Sequence, residues 1–497
     1  MFNSSTNINI IISIFILKLI LALYLPLIND EAYTIAVSKS MSLSFYDHPP
    51  ITFWLPVLMN EVFGTNSIFI YRLPFLLIGL TTTLMIYLLG KEFGGREIGI
   101  GSALLYNIAP FFFLSGGIFI VPDGPLNLGI ATTTYCILKL HKSTPRQTRF
   151  FFLLLGLGLS LCFASKYQGY LIGLGCLIVL WFSKKRNYFI KNPFFYISIS
   201  ISLIGIIPTI LWNIQHNWIS FNFHSSRQGF SIRIENLFII YFGLMIYLLP
   251  QLVIIPGLIF IKFLKSIAKK KYITRDFINS STFQLGIISL PNFMVFNFVF
   301  LTSKGSFPHW IIPSWLVFLP IIVKYIYQNS NKINRLLFNC SFIIIWSFLG
   351  LLIIHSQLGI ITNHKKVIPN WDNTLELINW QQIHKKLEQE IIKFSSDNNV
   401  KLATFTWTEA GQLSTVMGNK YEMIVIDGDP HHFQFMKKTN QQSPAILVKM
   451  SLGIEPNTIL ILNRLKVFDY NAQHIKNIIV KRGNRDYATA SLFLLKQ

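Results

Sequence analysis

Residues 8–31 read INIIISIFILKLILALYLPLINDE, an apolar run long enough to cross a bilayer, followed at once by two adjacent carboxylates. Four further runs, Ile68–Leu89, Phe194–Trp212, Leu237–Phe260 and Leu336–Ile354, also carry few or no charged side chains. Hydrophobic residues make up 52% of the 497 residues and charged residues 13%, against about 25% charged residues in soluble domains. These values exclude a disordered chain and a single large water-soluble enzyme, and they predict a polytopic α-helical membrane protein.

Extending this pattern along the chain predicts eleven membrane spans. The first run has no basic segment before it and no small-residue cleavage site after it, so we expect it to be retained as the first span. The predicted spans cover residues 8–28, 68–89, 97–115, 124–140, 150–164, 169–183, 194–213, 237–261, 283–301, 311–327 and 336–355.

The basic residues are distributed unevenly between the loops that join these spans. The first 356 residues contain 26 Lys and Arg but nine Asp and Glu, and one alternate set of short loops holds seventeen of the bases while the other holds five. Because cytoplasmic loops are enriched in Lys and Arg, this bias predicts a cytoplasmic N-terminus and puts residue 356 on the outer side. The bias also accounts for the formal net charge of +22, so we expect no nucleic-acid partner.

The character of the sequence changes near residue 357, where the long apolar runs end. The pattern predicts a helix over residues 378–396 and short strands at Lys401–Trp407, Tyr421–Asp427, Ala445–Met450 and Ala488–Leu495. The predicted organisation is a transmembrane domain of residues 1–356, with a first outer loop of residues 29–67. A small α/β domain of residues 357–497 follows on the outer, extracytoplasmic face.

Neither the cysteines nor the histidine-rich loop identifies a metal centre. Cys136, Cys162, Cys176 and Cys340 all lie inside apolar runs and lack the spacing of metal ligands. The loop Asp427-Gly428-Asp429-Pro430-His431-His432 contains metal-ligand residue types, but Asp-Gly-Asp-Pro after a strand is typical of a turn. We favour a turn, with a metal site as the alternative.

Six of the nine acids before residue 357 map to the predicted outer face. Charged side chains beside membrane spans cost free energy, so their presence there suggests a function. Asp30 and Glu31 follow the first span directly, and Asp123 lies in the turn Val121-Pro122-Asp123-Gly124-Pro125 between the third and fourth spans. One such carboxylate can simply anchor a helix at the interface. Three of them on one face favour a chemical role, as a general base or as ligands of a divalent cation.

Three of the five basic residues in the outer loops stand out against the charge bias: Lys166 in Ser165-Lys166-Tyr167-Gln168-Gly169, Arg227 and Lys304. The compact ammonium group of Lys166 suits a phosphate, although a lysine that extends its charge to the interface without a ligand is the alternative. His48, in Asp47-His48-Pro49-Pro50, could bind phosphate or metal, or could cap the proline turn. His309-Trp310 is interpreted as an interfacial aromatic anchor.

The order of these motifs resembles a known family of membrane enzymes. The chain is similar to bacterial relatives of the dolichyl-phosphate-mannose–protein mannosyltransferases and of the lipid A aminoarabinose transferase. These are polyprenyl-phosphate-sugar glycosyltransferases of the C-type membrane fold. The resemblance spans roughly residues 25–320 and is carried by Asp30-Glu31-Ala32-Tyr33, Tyr46-Asp47-His48-Pro49-Pro50, Arg72-Leu73-Pro74, Pro122-Asp123-Gly124-Pro125, Ser165-Lys166-Tyr167, Leu211-Trp212-Asn213, His216-Asn217-Trp218 and His309-Trp310.

The resemblance implies roles for individual residues. Asp30 matches the first-loop aspartate of the family's catalytic centre, and Glu31 matches its acidic neighbour. Asp123 matches a second outer-loop carboxylate that helps to position substrate or metal, and Lys166 matches a lysine associated with the lipid phosphate. His48 stands where the aminoarabinose transferases carry a Lys, and a mostly neutral imidazole is a poorer phosphate clamp.

The resemblance therefore implies an inverting glycosyltransferase in the cytoplasmic (inner) membrane. It would transfer a sugar from undecaprenyl phosphate to an acceptor such as lipid A, lipopolysaccharide or protein, with Arg227 or His48 assisting Lys166 at the phosphate. A divalent metal is an open possibility, with Asp30, Asp123 and His48 as its candidate ligands. Two alternatives are a transporter or flippase of a lipid-linked glycan, which usually has midplane charges and repeated halves, and a non-catalytic envelope scaffold.

Overall fold

The structure is a computed structural model that describes residues 4–226, 229, 231–268, 280–303, 305–329, 331–360, 373–394, 400–436, 444–452 and 456–496. Arg227, Lys304 and the basic segment 269–275 lie outside the described residues. Through residue 358 the described chain is helical, with helices Ser4–Tyr24, Asn29–Ser38, Ile51–Phe63, Ile68–Gly94, Arg96–Ile108, Pro110–Ser115, Asp123–Leu140, Pro145–Ser165, Gln168–Phe182, Arg186–Lys191, Pro193–Ile204, Ile207–Gln215, Ile219–Ser226, Ile234–Leu248, Pro250–Ala268, Ser281–Thr302, Pro308–Ile311 (3-10), Ile312–Gln328 and Lys332–Leu358.

Every predicted span overlaps helical residues, and the polytopic helical fold class is confirmed. In the described part of the chain, six helices are long and apolar enough to cross a membrane. A seventh candidate is the pair Pro193–Ile204 and Ile207–Gln215, which is bent by 42°. Several other predicted spans correspond to shorter apolar helices, so the number eleven stays a prediction. The predicted first outer loop itself contains the helices Asn29–Ser38 and Ile51–Phe63.

Two of the predicted spans break at or beside a proline, and indole groups satisfy carbonyls near both breaks. The span 97–115 breaks before Pro110, and the Trp346 indole donates to the carbonyl of Ile108, which ends the preceding helix (2.8 Å). The span 237–261 breaks at Leu249, where φ is 85°. Just beyond, Pro256 has no N–H to donate to the carbonyl of Leu252, and the Trp315 indole donates to that carbonyl instead (2.8 Å).

The chain divides into two compact units, each with its own core. The first, here called the membrane unit, comprises Met1–Leu23, Ser42–Thr52 and Arg72–Trp346. Its core is one continuous apolar cluster that includes fully buried Tyr106, Phe112 and Phe152. The second, here called the C-terminal unit, comprises Tyr24–Met41, Phe53–Tyr71 and Ser347–Gln497. The C-terminal unit thus includes parts of the predicted first outer loop, and the predicted domain boundary after residue 356 stays a prediction.

The C-terminal unit contains a five-stranded mixed sheet, as the predicted α/β character requires. Its strands are β1 (Lys401–Thr404), β2 (Met423–Val425), β3 (Ala445–Leu452), β4 (Asn471–Arg482) and β5 (Arg485–Lys496), in the order β2-β1-β3-β5-β4. β1 is parallel to β2 and β3, while β5 is antiparallel to β3 and β4. The helical segments are Asn373–Leu377, Trp380–Ile383 and His431–Phe435, all 3-10, with the α-helices His384–Ile392, Trp407–Val416 and Thr458–Val467.

The structure departs from the predicted elements of this sheet at β1, at β2, which covers only Met423–Val425, and at β4. The predicted strand Lys401–Trp407 ends at Thr404, because the Thr406 hydroxyl accepts the backbone N–H of Glu409 (3.4 Å) and starts a helix at Trp407. Strand β4 was not predicted, since polar residues interrupt its alternation. Its hairpin to β5 turns at Gly483, whose φ of 56° favours glycine.

Candidate active site

The candidate centre of the membrane unit is an ion pair between Lys166 and Asp123. The Lys166 Nζ lies 3.0 Å from both carboxylate oxygens of Asp123, and the two side chains are only 6% and 9% exposed. A charge buried to this extent is stable only when it is paired. Lys166 therefore does not extend alone to the interface. Its partner in the structure is Asp123, whereas the sequence analysis expected a phosphate, and phosphate binding by Lys166 stays a prediction.

Local structure fixes both members of this pair. Asp123 is the first residue of the helix Asp123–Leu140. The backbone N–H groups of a first helical turn have no acceptor within the helix, so a carboxylate is favourable there. Lys166 follows the last residue of the helix Pro145–Ser165 and has an extended backbone, φ −157° and ψ 145°. A cation is favourable at this helix end for the converse reason. The two charges thus complement two helix termini as well as each other.

His309 lies near this pair, a position that the sequence analysis missed. Its imidazole interacts electrostatically with both Lys166 and Asp123. It stacks on Phe111 with a ring-centroid distance of 6.1 Å and on Phe307 at 5.7 Å. The prediction of an interfacial aromatic anchor at His309-Trp310 accounts for the ring contacts of His309 but not for its position near two charged residues. The chain offered one signal, a histidine between two apolar segments.

The segment Ser42–Thr52 brings Asp47 and His48 to the residues that follow Lys166. The Nε2 atom of His224 lies 3.0 Å from the carbonyl oxygen of Asp47. The centroid of the His224 ring lies 5.0 Å from that of the Tyr167 ring. His48 Nε2 is 3.8 Å from the Asp47 carboxylate. Burial, reinforced by the negative charge of Asp47, raises the pKa of Tyr167 to about 12, so its phenol is neutral at physiological pH.

Asp30 and Glu31 belong to the C-terminal unit and have different surroundings. Both lie in the first turn of the helix Asn29–Ser38. The carboxylate of Glu31 is fully buried and accepts the backbone N–H of Ile28 (3.1 Å), so it fixes the start of this helix. Asp30 is exposed, as a base that meets a substrate must be. Glu31 therefore has a structural contact at the start of its helix. The catalytic roles of Asp30 and Glu31 stay predictions.

A further buried cation lies within the first span. Lys18 is 1% exposed, and its Nζ donates to the side-chain oxygen of Asn107 (3.0 Å), whose amide donates to Thr83. Its ammonium group also faces the rings of Tyr106 and Phe113 at 5.9 and 5.5 Å. The sequence analysis passed over it, although a lone lysine inside an apolar run is a signal in itself.

The described residues do not gather a metal site. Among them, no group of three or more His, Cys, Asp or Glu side chains is placed to hold a metal ion. In the Asp427–His432 loop, the Asp427 carboxylate pairs with Arg464, and His431 Nδ1 lies 3.5 Å from the Asp429 carboxylate. The carboxylate of Asp427 is thus already paired with a cation, which does not suit a metal ligand.

The fold is that of a membrane glycosyltransferase of the C-type class, as comparison with solved structures shows. ArnT from Cupriavidus metallidurans bound to undecaprenyl phosphate superposes with a TM-score of 0.60, and its apo form with 0.61. Each match covers 99% of this chain and 98% of the other, at 13% sequence identity.

The sequence comparisons agree on the family to which the chain is similar. Residues 47–212 match the family model of the dolichyl-phosphate-mannose-protein mannosyltransferases. The lipid A galacturonosyltransferase RgtD of Rhizobium johnstonii is 28% identical over 188 residues, which are 38% of this chain and 38% of that protein. The resemblance to mannosyltransferase- and ArnT-like membrane glycosyltransferases is confirmed, and the match spans well under half the length of the curated relative.

Proposed function

We propose that this chain is an inverting glycosyltransferase that moves a sugar from undecaprenyl phosphate to an envelope acceptor. The observation that carries the proposal is the buried Lys166–Asp123 pair between two helix ends. It stands in a chain that has the ArnT fold and matches the mannosyltransferase family model. The reaction would take place on the outer face of the cytoplasmic membrane, with the N-terminus cytoplasmic and the C-terminal residues periplasmic.

The proposed donor is a sugar joined to the lipid through a phosphodiester. ArnT of Cupriavidus metallidurans was solved with undecaprenyl phosphate, which supports this class of lipid. Lys166 would contact the phosphate, because an ammonium group stabilises the negative charge that grows on the leaving oxygen. Asp123 would keep Lys166 charged and in place before the donor arrives, since an unpaired ammonium group is costly at such burial.

Asp30 is the proposed general base. It would take the proton of an acceptor hydroxyl while the acceptor oxygen attacks the anomeric carbon. The bond from that carbon to the phosphate oxygen breaks, and the lipid phosphate leaves with the electron pair. A single displacement of this kind inverts the anomeric centre. An acceptor phosphate, which needs no deprotonation at neutral pH, would make Asp30 less important.

The proposed acceptor is lipid A or another envelope glycan, with protein as a further class. The lipid A galacturonosyltransferase RgtD supports the first choice, and the mannosyltransferase family description supports the last. The C-terminal unit would then lie in the same compartment as the acceptor.

The test is a transfer assay with the purified full-length chain. Radiolabelled sugars on undecaprenyl phosphate are supplied with an envelope fraction, and wild type is compared with Asp30→Asn. We expect label to reach the acceptor only with wild type, a loss of at least about 100-fold from removing a general base. Equal transfer by the two proteins would contradict the proposed mechanism. No transfer from any donor, with the lipid still bound, would favour the transporter or scaffold.

A further inference from the structure

We infer that Gln412 is a positioning residue that holds the Asp30 end of the helix Asn29–Ser38 from within the C-terminal unit. The inference rests on the proposed role of Asp30 as the base. It gives the C-terminal sheet unit a part in the reaction, because this unit supplies the surface on which the helix is fixed. Gln412 lies in the helix Trp407–Val416, more than 380 residues from the segment that it contacts.

The Gln412 amide makes two contacts at the start of the Asp30 helix. Its Nε2 donates to the carbonyl oxygen of Leu27 (3.0 Å) and to the side-chain oxygen of Asn29 (3.2 Å). Gln412 is 3% exposed, so these hydrogen bonds have little competition from water. One contact holds the backbone three residues before Asp30 and the other holds the side chain of the residue before it, so together they restrain the start of the helix that carries Asp30.

Two neighbours of Gln412 hold the next turn of the same helix. The Thr415 hydroxyl donates to the carbonyl oxygen of Ala32 (2.9 Å). At Gly411 the two helices approach so closely that a Cβ atom would lie 2.7 Å from the Tyr33 backbone, closer than real Cβ contacts. Any larger residue at this position would require the two helices to shift apart.

The Tyr33 side chain secures the other side of the helix. Its ring meets the rings of Trp407 and His431 edge to face, with centroids 4.9 and 5.9 Å away. Its hydroxyl accepts the backbone N–H of His432 (3.2 Å). Buried aromatic contacts of this kind contribute beyond their buried area. The helix is consequently buried from Glu31 to Ser38, and Asp30 stays exposed at its open end.

This arrangement predicts an effect on the rate of the chemical step and not on donor binding. A base displaced by about 1 Å can lose about 100-fold in rate. The donor phosphate is proposed to bind Lys166, which belongs to the membrane unit, whereas Gln412 belongs to the C-terminal unit. Loosening the Asp30 helix should therefore lower kcat and leave KM for the donor nearly constant.

The experiment compares Gln412→Met with Gln382→Met in the full-length chain. Methionine keeps the length of the side chain and removes the amide. Gln382 is an exposed control for the loss of a glutamine amide. It exchanges two hydrogen bonds with the backbone of Lys481 in the same unit, and in the hydrogen bonds of the described chain it touches no first-loop residue. Thr415→Val is a second, nearly isosteric variant. The readouts are kcat, KM for the undecaprenyl-phosphate sugar, and amide hydrogen exchange over residues 29–38.

We expect Gln412→Met to lower kcat at least 10-fold with less than a twofold change in KM, and to speed exchange over residues 29–38. Thr415→Val should do the same to a smaller degree, and Gln382→Met should do neither. Unchanged kcat and exchange in Gln412→Met, with an active wild type, would overturn the inference alone. Faster exchange together with an inactive wild type would support the placement of the helix and overturn the proposed function.

Discussion

Lys166 and Asp123 in the membrane unit form an ion pair of nearly the same length as those that Lys393 and Lys476 form with Glu390 in the C-terminal unit. The N···O distances are 3.0 Å in the first case and 2.7 and 2.9 Å in the second. The carboxylates are similarly buried, with Asp123 9% and Glu390 4% exposed, and only the lysines differ. Lys166 is 6% exposed, whereas Lys393 and Lys476 are 62% and 47% exposed.

The difference shows that environment, and not contact distance, sets the importance of an ion pair. At Lys166 neither charge can be solvated if its partner is lost, so the pair is indispensable once both charges are present. At Glu390 the two lysines reach water and each can replace the other, so either bond contributes little. A buried pair of this kind is also typical of a functional site, since folding stability alone seldom favours it.

The largest effects are expected from breaking the buried pair. Asp123→Asn leaves the Lys166 charge without compensation, and Lys166→Met does the same to Asp123. Each should lower the free energy of unfolding by roughly 3–5 kcal/mol, and Lys166→Met should also lower transfer by about 100-fold or more. Thermal unfolding and the transfer assay measure the two quantities. Unfolding temperatures equal to that of wild type would show that water reaches this pair.

The double variant Asp123→Asn/Lys166→Met separates stability from chemistry. Removing both charges removes the uncompensated one, so stability should return to within about 1–2 kcal/mol of wild type. Transfer should stay as low as in Lys166→Met, because the phosphate still lacks its cation. If transfer recovered together with stability, Lys166 would have only a structural role.

A smaller effect is expected from the phenol that follows Lys166. The folded chain raises the pKa of Tyr167 to about 12 from its ordinary value of 10.0, chiefly by burial. The neutral form is therefore favoured in the fold, and this contribution is complete below pH 10 and lost as the pH rises through 12. Wild type should lose stability relative to Tyr167→Phe across that range, by about 1–3 kcal/mol. Parallel stability curves for the two proteins would contradict the burial of this phenol.

The smallest effect is expected at Glu390. Hydrogen bonds from Lys393 and Lys476 hold the pKa of Glu390 below its ordinary value. Its contribution to stability is therefore present at neutral pH and lost as the pH falls through the lowered pKa. Glu390→Gln should cost less than about 1 kcal/mol at pH 7, and the difference from wild type should vanish in acid. Hydrogen exchange over residues 384–392 and 471–482 of the full chain is the measurement, with high salt as a second way to reduce the difference.

Sequence alone predicted the parts of the fold that depend on composition and periodicity. Apolar runs predicted the helices. The predicted strands 445–450 and 488–495 lie within β3 and β5, while β1 and β2 are both shorter than predicted. The Thr406-Trp407-Thr408-Glu409 helix start and the Gly483-Asn484 hairpin were both visible in the sequence and were missed. These errors concern local signals that a closer reading of caps and turns would include.

The candidate site was predictable residue by residue but not as a set of contacts. Asp123 and Lys166 were each selected because they stand out in apolar surroundings, yet their pairing joins residues 43 positions apart. Gln412 was not selected at all, because its helical sequence context is ordinary and its contact with Leu27 joins residues 385 positions apart. Glu31 was chosen for its charge, and only the geometry reveals its bond to the Ile28 backbone.

The two indole groups at the broken spans have an evolutionary consequence. Trp346 and Trp315 each donate an N–H to a carbonyl that has lost its helical partner, at Ile108 and Leu252. Phenylalanine would fill much the same volume but would leave that oxygen unsatisfied in a medium without water. Replacement of Trp315 should become neutral only after Pro256 has been lost, so the proline and the tryptophan are expected to change together among descendants of this chain.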